Sequence, residues 1–470
     1  MIWRNTDNVG SAELGKGSPL LNRILYWMRH PRERTSINRD APISIHWLEI
    51  LEGVFLFALF LSCTIPYTVL AGSVIISPAE IFAGLFILWR WTAGRTEWAR
   101  LDRGVKRLIW GFRVFAVWSG LLWLSSGDWV DRRGMFVDWA FAALLVDCLL
   151  RSPWNDWKRI ASLYVWAALP TSVWGVMQHA MGIGLAPKDF AGWSSNASSI
   201  LIKGFFGFPN DLAVYIYWPL LVCIGLTWAY HSWRRIVYAL LTLLYGLVLY
   251  WTISRTTLLA VVFVAVLTAL VVLIRRRRIF LVAVIAGAAV TALAIAWIFL
   301  TIPLDRINLT LSGRFDAWSQ SLQLIFSDKY LLPLGYNLIG SGNNPSIWWL
   351  PHNIYLLSWL EFGWPGVLLL VGLVGYLLYS GWKRYGELRS HFPVAVLWGG
   401  IAGLFFVGGM ADLYFHEPYV IINFICVLGL WAAQLRWIDA SPSSGNTEVP
   451  SSENGSIPGK ANPPSVEPSR

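Results

Sequence analysis

Long apolar stretches recur along this chain at the length a lipid bilayer demands, and nothing else in it constrains the fold as tightly. A helix needs about 20 apolar residues to cross the hydrocarbon region. On that ruler about twelve segments qualify: residues 44–63, 70–90, 107–125, 134–151, 159–181, 211–231, 235–253, 257–274, 279–301, 353–379, 392–411 and 418–436. Composition agrees, since 56% of the 470 residues are hydrophobic and only 14% are charged, where a soluble domain carries about a quarter. The chain reads as an all-α polytopic membrane protein.

The net charge of +10 raises the question of nucleic acid, but the distribution of the cations answers it. Arg23, Arg29, Arg32, Arg34 and Arg39 precede the first span. Arg95, Arg100, Arg103, Lys106 and Arg107, then Arg151, Lys158 and Arg159, then Arg234 and Arg235, Arg275 to Arg278, and Lys383, Arg384 and Arg389 fall in alternate short connections. Helices that simply alternate put all of them on one side, which the positive-inside rule makes the cytoplasm. No nucleic-acid partner is implied, and both termini are expected inside.

The expected organisation is a basic N-terminal arm (1–43) with a short helix around Leu20 to Met28, nine transmembrane helices (44–301), a large outer loop before the tenth helix (302–352), three further helices (353–437), and a tail (438–470) too polar to order itself. The arm lacks the apolar core of a signal peptide, so the first span is expected to serve as the targeting signal. Cys63, Cys148, Cys223 and Cys426 lie in or at the ends of apolar segments without metal-ligand spacing and read as packing residues. Two outer segments are long. One, 182–210, ends Gly204-Phe205-Phe206-Gly207-Phe208-Pro209-Asn210. In the other, Phe315, Trp318, Leu322, Ile325 and Phe326 stand at helical spacing behind Ser312, the pattern of a helix in the membrane interface or one packed down on the bundle.

Three residues near the outer side invite a chemical role. Arg255 follows an apolar run on the side where arginine is disfavoured, so it either snorkels to headgroups or holds an anion. Arg314, in Gly313-Arg314-Phe315-Asp316, opens the expected interfacial helix, where unpaired N–H groups favour an anion; a surface pair with Asp316 or Asp305 is the competing reading. Two guanidiniums facing one outer cavity match a diphosphate, whose oxygens they bind in a planar, bidentate way. His352, at the lip of a span in Trp348-Trp349-Leu350-Pro351-His352-Asn353, is of the type that removes a proton from a hydroxyl near neutral pH, and Asn353 is placed to cap the helix that follows. Lys203 adds charge on the same side. Glu361, about 13 Å down that helix, needs a partner inside the membrane, most simply an ion pair. Asp412, His416 and Glu417 cluster in the last outer connection, but their spacing matches no metal site.

At these positions the chain resembles the O-antigen ligase and polymerase superfamily of bacterial cell-envelope enzymes. The family pattern is His, then Asn, Ser or Gln, nine residues, Gly, two residues, and Gly, Thr or Tyr; here it falls on His352, Asn353, Gly363 and Gly366. Further similarity lies in Gly207-Phe208-Pro209-Asn210-Asp211-Leu212-Ala213, Ser254-Arg255, Gly313-Arg314 with Trp318, and Pro333-Leu334-Gly335-Tyr336. The resemblance implies a glycosyltransferase type C bundle in the bacterial inner membrane and a glycan donor on undecaprenyl diphosphate. It implies Arg255 and Arg314 on the diphosphate, His352 on the acceptor hydroxyl, Lys203, Asn210 and Asn353 as substrate-binding residues, and neither metal nor cofactor. The acceptor is a glycan or a lipid, and membrane lipids surround the whole. Within it a ligase and a repeat-unit polymerase are both open, and outside it a solute or anion transporter is the rival.

Overall fold

The computed structural model describes residues 44–65, 68–69, 75–92, 101, 103–125, 133–151, 156–183, 201–287, 314–326, 351–411 and 418–440. These residues are helical apart from connections and one two-residue antiparallel pair, β1 (Thr68–Val69) and β2 (Ile75–Ile76). The helices are α1 (Ser44–Ser62), α2 (Pro78–Thr92), α3 (Arg103–Ser125), α4 (Arg133–Leu150), α5 (Trp157–Met181), α6 (Pro209–Ala229), α7 (Ser232–Trp251) and α8 (Arg255–Leu273). A helical stretch over 277–287 follows, then α9 (Arg314–Ile325), α10 (Ile354–Lys383), α11 (Tyr385–Ser390), α12 (Phe392–Gly403) and α13 (Pro418–Ala440). Seven of them, α3, α5 to α8, α10 and α13, are long and apolar enough to cross a membrane. The N-terminal arm, residues 288–313 and 327–350, the Asp412, His416 and Glu417 cluster and residues 441–470 lie outside the described residues, while 438–440, expected in the tail, complete α13.

Local chemistry sets the ends of these elements. The expected second span begins late, at Pro78, because Ser77 and Glu80 form a reciprocal cap: the Glu80 N–H donates to Ser77 Oγ at 3.2 Å while Ser77 N–H donates to Glu80 Oε2 at 2.7 Å. With proline in the first helical position, this is a strong start signal. The apolar residues before it form the strand pair instead. In α5, Asp156 Oδ1 accepts from the N–H groups of Lys158 and Arg159, and Gly182, at φ 68°, closes the other end.

Two helices, α6 and α13, lack a polar stripe and sit at the centre, a larger fraction of each being buried than of any other candidate span, as expected of helices apolar on all faces. Around them α1 packs on α5, α3 on α4 and α10, α7 on α6, and α8 on α12. Several polar groups inside this bundle pair with one another across helices, since lipid offers no substitute for water. Tyr164 donates to Asn423 Oδ1 at 2.6 Å, Tyr217 to Gly400 O at 2.7 Å and Tyr245 to Val165 O at 2.7 Å. Charged groups follow the same rule: Arg90 meets Glu52 at 3.0 Å, and Asp147 lies 3.4 Å from both Arg113 and Arg151.

Candidate active site

The connection between α7 and α8 is short and rigid. Thr252 Oγ1 accepts from the Ser254 N–H at 3.3 Å and donates to Leu249 O at 2.6 Å, and Ser254 Oγ meets Thr257 Oγ1 at 3.0 Å. Between them Ile253 is held at φ 55°, a left-handed conformation that a β-branched side chain adopts only under strain. The turn delivers Arg255 as the first residue of α8 with its side chain exposed. Among the described residues its guanidinium makes no hydrogen bond or ion pair. A cation at a helix N-terminus opposes the helix dipole, so guanidinium and unpaired N–H groups there together favour an anion.

His352 shares the feature: at φ 45° it is another of three non-glycine residues with positive φ among those described, with Ile253 and Ser232. Its backbone is held by ties on both sides. Trp318 Nε1 of α9 donates to Pro351 O at 2.5 Å. Asn353 caps α10, its Oδ1 accepting from the N–H groups of Tyr355 and Leu356, and its Nδ2 donates to Met410 O at 3.1 Å. Tyr355 then donates to Phe405 O at 3.0 Å. That carbonyl lies in Leu404–Gly408, a π-helical turn continuing α12. Wide turns of this kind free backbone carbonyls and concentrate at functional sites.

Arg314 opens α9, half-buried, and it too makes no hydrogen bond or ion pair among the described residues, Asp316 included. Ala317, Ser321 and Ile325 form the buried face of α9. Phe326, at its end, stands edge-on to Trp359 of α10 at 6.0 Å. The other face, with Phe315, Trp318, Leu322 and Phe326, lines an open groove of about 460 Å³.

Contacts place these parts at one end of the bundle. α8 runs beside α12 so closely that a Cβ on Gly403 would lie 2.7 Å from Val264 Cγ2, and one on Gly409 would lie 2.6 Å from Ile354 Cγ2. The first turn of α8, the π-helical turn, the first turn of α10 and α9 are therefore consecutive neighbours. The segment 201–208 joins them from the other side. Its Gly204, at φ 59°, leaves only 2.5 Å between a built Cβ and Thr171 Oγ1, so no other residue fits. Gln178 accepts from the N–H groups of Lys203 and Gly204 and donates to Gly204 O. Next to it His179 stacks on Trp251 with ring centroids 4.0 Å apart, four residues before Arg255. Lys203 and Asn210 are half-buried at this end, whereas the Asn353 side chain is committed to its cap and to Met410. Gln178 and the inward fold of 201–206, with Leu201, Ile202 and Phe206 buried, were not foreseen; the sequence offers only Gly204 as a signal.

The two glycines of the motif have physical reasons. Gly363 breaks α10 at φ 68°, ψ −176°, a conformation essentially restricted to glycine. Trp118 Nε1 of α3 donates to the Phe362 carbonyl beside the break at 2.9 Å. At Gly366 a Cβ would lie 2.1 Å from Phe362 Cβ. Glu361, just above the break, is buried. Among the described residues no group of three His, Cys, Asp or Glu is placed to hold a metal.

No curated protein matches the chain. Residues 238–371, from α7 through the break in α10, match the family model described as O-Antigen ligase. Over that segment the chain is similar to the O-antigen ligase family, and the match, with seven helices long and apolar enough to cross a membrane, supports a multi-pass membrane protein of the O-antigen ligase superfamily.

Proposed function

We propose that the protein transfers a glycan from undecaprenyl diphosphate to an acceptor hydroxyl at the outer face of the bacterial inner membrane, with inversion and without a metal. Arg255 and Arg314 hold the diphosphate and neutralise the charge that develops as it leaves. His352 takes the proton from the acceptor hydroxyl while its oxygen bonds to the anomeric carbon. The carbon–oxygen bond to the diphosphate breaks, and the diphosphate departs with the electron pair. Attack opposite the leaving group inverts the centre. Lys203 and Asn210 contact the phosphates or the sugar; Asn353 serves the substrate by fixing the turn that presents His352.

One observation carries this reading. Two arginines without an anionic partner among the described residues open two different helices, at the bundle end that also holds His352 on its strained turn. Purified Arg255→Ala, Arg314→Ala and His352→Ala, each assayed with a lipid-diphosphate glycan donor, should lose about 10²- to 10³-fold in transfer rate while inserting and melting like the parent. Wild-type rates in all three would remove the assignment. A polymerase would extend the donor glycan itself, whereas a ligase would need a separate acceptor. Transport is the second reading, favoured by the break in α10 beside buried Glu361, since broken helices near the midplane mark solute sites. Solute uptake into proteoliposomes, unaffected by the three substitutions, would establish it instead.

A further inference from the structure

The opposite end of the bundle carries a groove that the reaction does not use. It lies between the first turns of α5 and α7, has a volume of about 320 Å³, and is walled by Arg159, Trp166, Tyr230, Trp233 and Arg234. By the positive-inside rule this basic end faces the cytoplasm. The polar groups at its base are already satisfied. Tyr238 donates to Ser162 Oγ at 2.7 Å, and Ser162 donates to Lys158 O at 2.6 Å. Lys158 Nζ donates to Ala229 O at 3.1 Å, at the C-terminal end of α6. Asp156, the acidic residue at the rim, is spent on capping α5.

Arg234 differs from these. Its guanidinium lies 5.6 Å from the Tyr230 ring centroid and 5.8 Å from that of Trp233, and among the described residues it makes no hydrogen bond or ion pair. Rings on the guanidinium face leave its in-plane N–H groups for a second partner, and the matching partner is a phosphate. Arg159 stands exposed on the facing wall. Apolar surface continues from the groove along the lipid side: Trp166 is 41% exposed, Trp233 66%, Ile236 63% and Leu240 60%. A free phosphate would use the cations and leave this surface bare. A phospholipid uses both, with its headgroup between the arginines, its chains along α7, and the indoles at the interface.

We propose that this groove binds one phospholipid with an anionic headgroup. The test is native mass spectrometry of the full chain in nonionic detergent, titrated with phosphatidylglycerol or phosphatidylcholine. The parent should prefer phosphatidylglycerol, Arg234→Gln should weaken it about five-fold, and Arg159→Gln with Arg234→Gln about five-fold further, at about a factor of five per cation removed. Phosphatidylcholine binding should not change, and Arg234→Lys should keep most of the affinity. Arg235→Gln, on the same helix but outside the groove, should bind like the parent. Equal binding of the two lipids by the parent, a double variant that binds phosphatidylglycerol normally, or an equal loss from Arg235→Gln would overturn the site. So would inorganic phosphate that raises the melting temperature as far as phosphatidylglycerol does, since a free anion would then be the occupant. Arg234 is exposed and makes no hydrogen bond among the described residues, so its single substitution keeps the test valid if the double variant misfolds.

Discussion

Gly363 holds a backbone conformation, φ 68° and ψ −176°, that residues with a side chain adopt only under strain. Gly363→Ala should lower stability by about 1–3 kcal/mol. Gly372, on the same helix with nothing within 4 Å of a built Cβ, is the control: Gly372→Ala should be neutral or stabilising by up to about 1 kcal/mol. Thermal unfolding in one detergent compares them directly, and equal melting temperatures would mean that the break is not an intrinsic feature of α10. The motif spacing from His352 to Gly366 was legible in the sequence; the reason for it was not. Positive φ at Ile253 and His352 was equally hidden, because nothing about an isoleucine or a histidine announces it. At His352 the conformation is held by neighbours distant in the chain, Trp318 and Met410, and at Ile253 by side-chain bonds of Thr252 and Ser254 that residue type alone does not reveal.

Among the elements, α10 depends on a partner helix. Its break frees the Phe362 carbonyl, and the Trp118 indole of α3 supplies a donor. Trp118→Phe keeps an aromatic ring but removes that donor, and should destabilise by about 1–3 kcal/mol, read again as a shift in melting temperature. No shift would mean that the carbonyl finds water or another donor. Helix positions themselves were largely readable, because an apolar run of bilayer length has few other outcomes. The exceptions are instructive. Thr68–Val69 and Ile75–Ile76 belong to the apolar run yet pair as strands, since short apolar runs do not discriminate strand from helix; the cap at Ser77 and Glu80 was the stronger signal. The wide turn at Leu404–Gly408 leaves no mark in residue type. The inward fold of 201–206 looks in sequence like an ordinary Gly- and Ser-rich loop.

Across the whole molecule, charge is sorted by depth and by end. Glu52 and Asp147 meet arginines inside the bundle, while among the described residues Arg255 and Arg314 open helices at one end with no such counterpart. Arg90, 2% exposed, is held by Glu52. Removing one partner strands the other in lipid, so Arg90→Met should destabilise by about 3–5 kcal/mol, and adding Glu52→Gln should restore much of the loss. Unfolding of the single and double variants measures this, and a double variant no better than the single would show that Arg90 acts through packing rather than charge. In the sequence, the cations between spans are the signal that tells one end from the other. The pairing of Arg90 with Glu52 is not legible there, because helix neighbours depend on packing order rather than on the spacing of spans.

The Asn353 side chain grips two things at once, the first turn of α10 and the carbonyl of Met410 just before residues 412–417. That small amide makes a mechanical joint. The histidine beside it and the chain end at Ala411 that leads into the last connection move together or the joint opens, so a molecule pressing on that connection also bears on the position of His352.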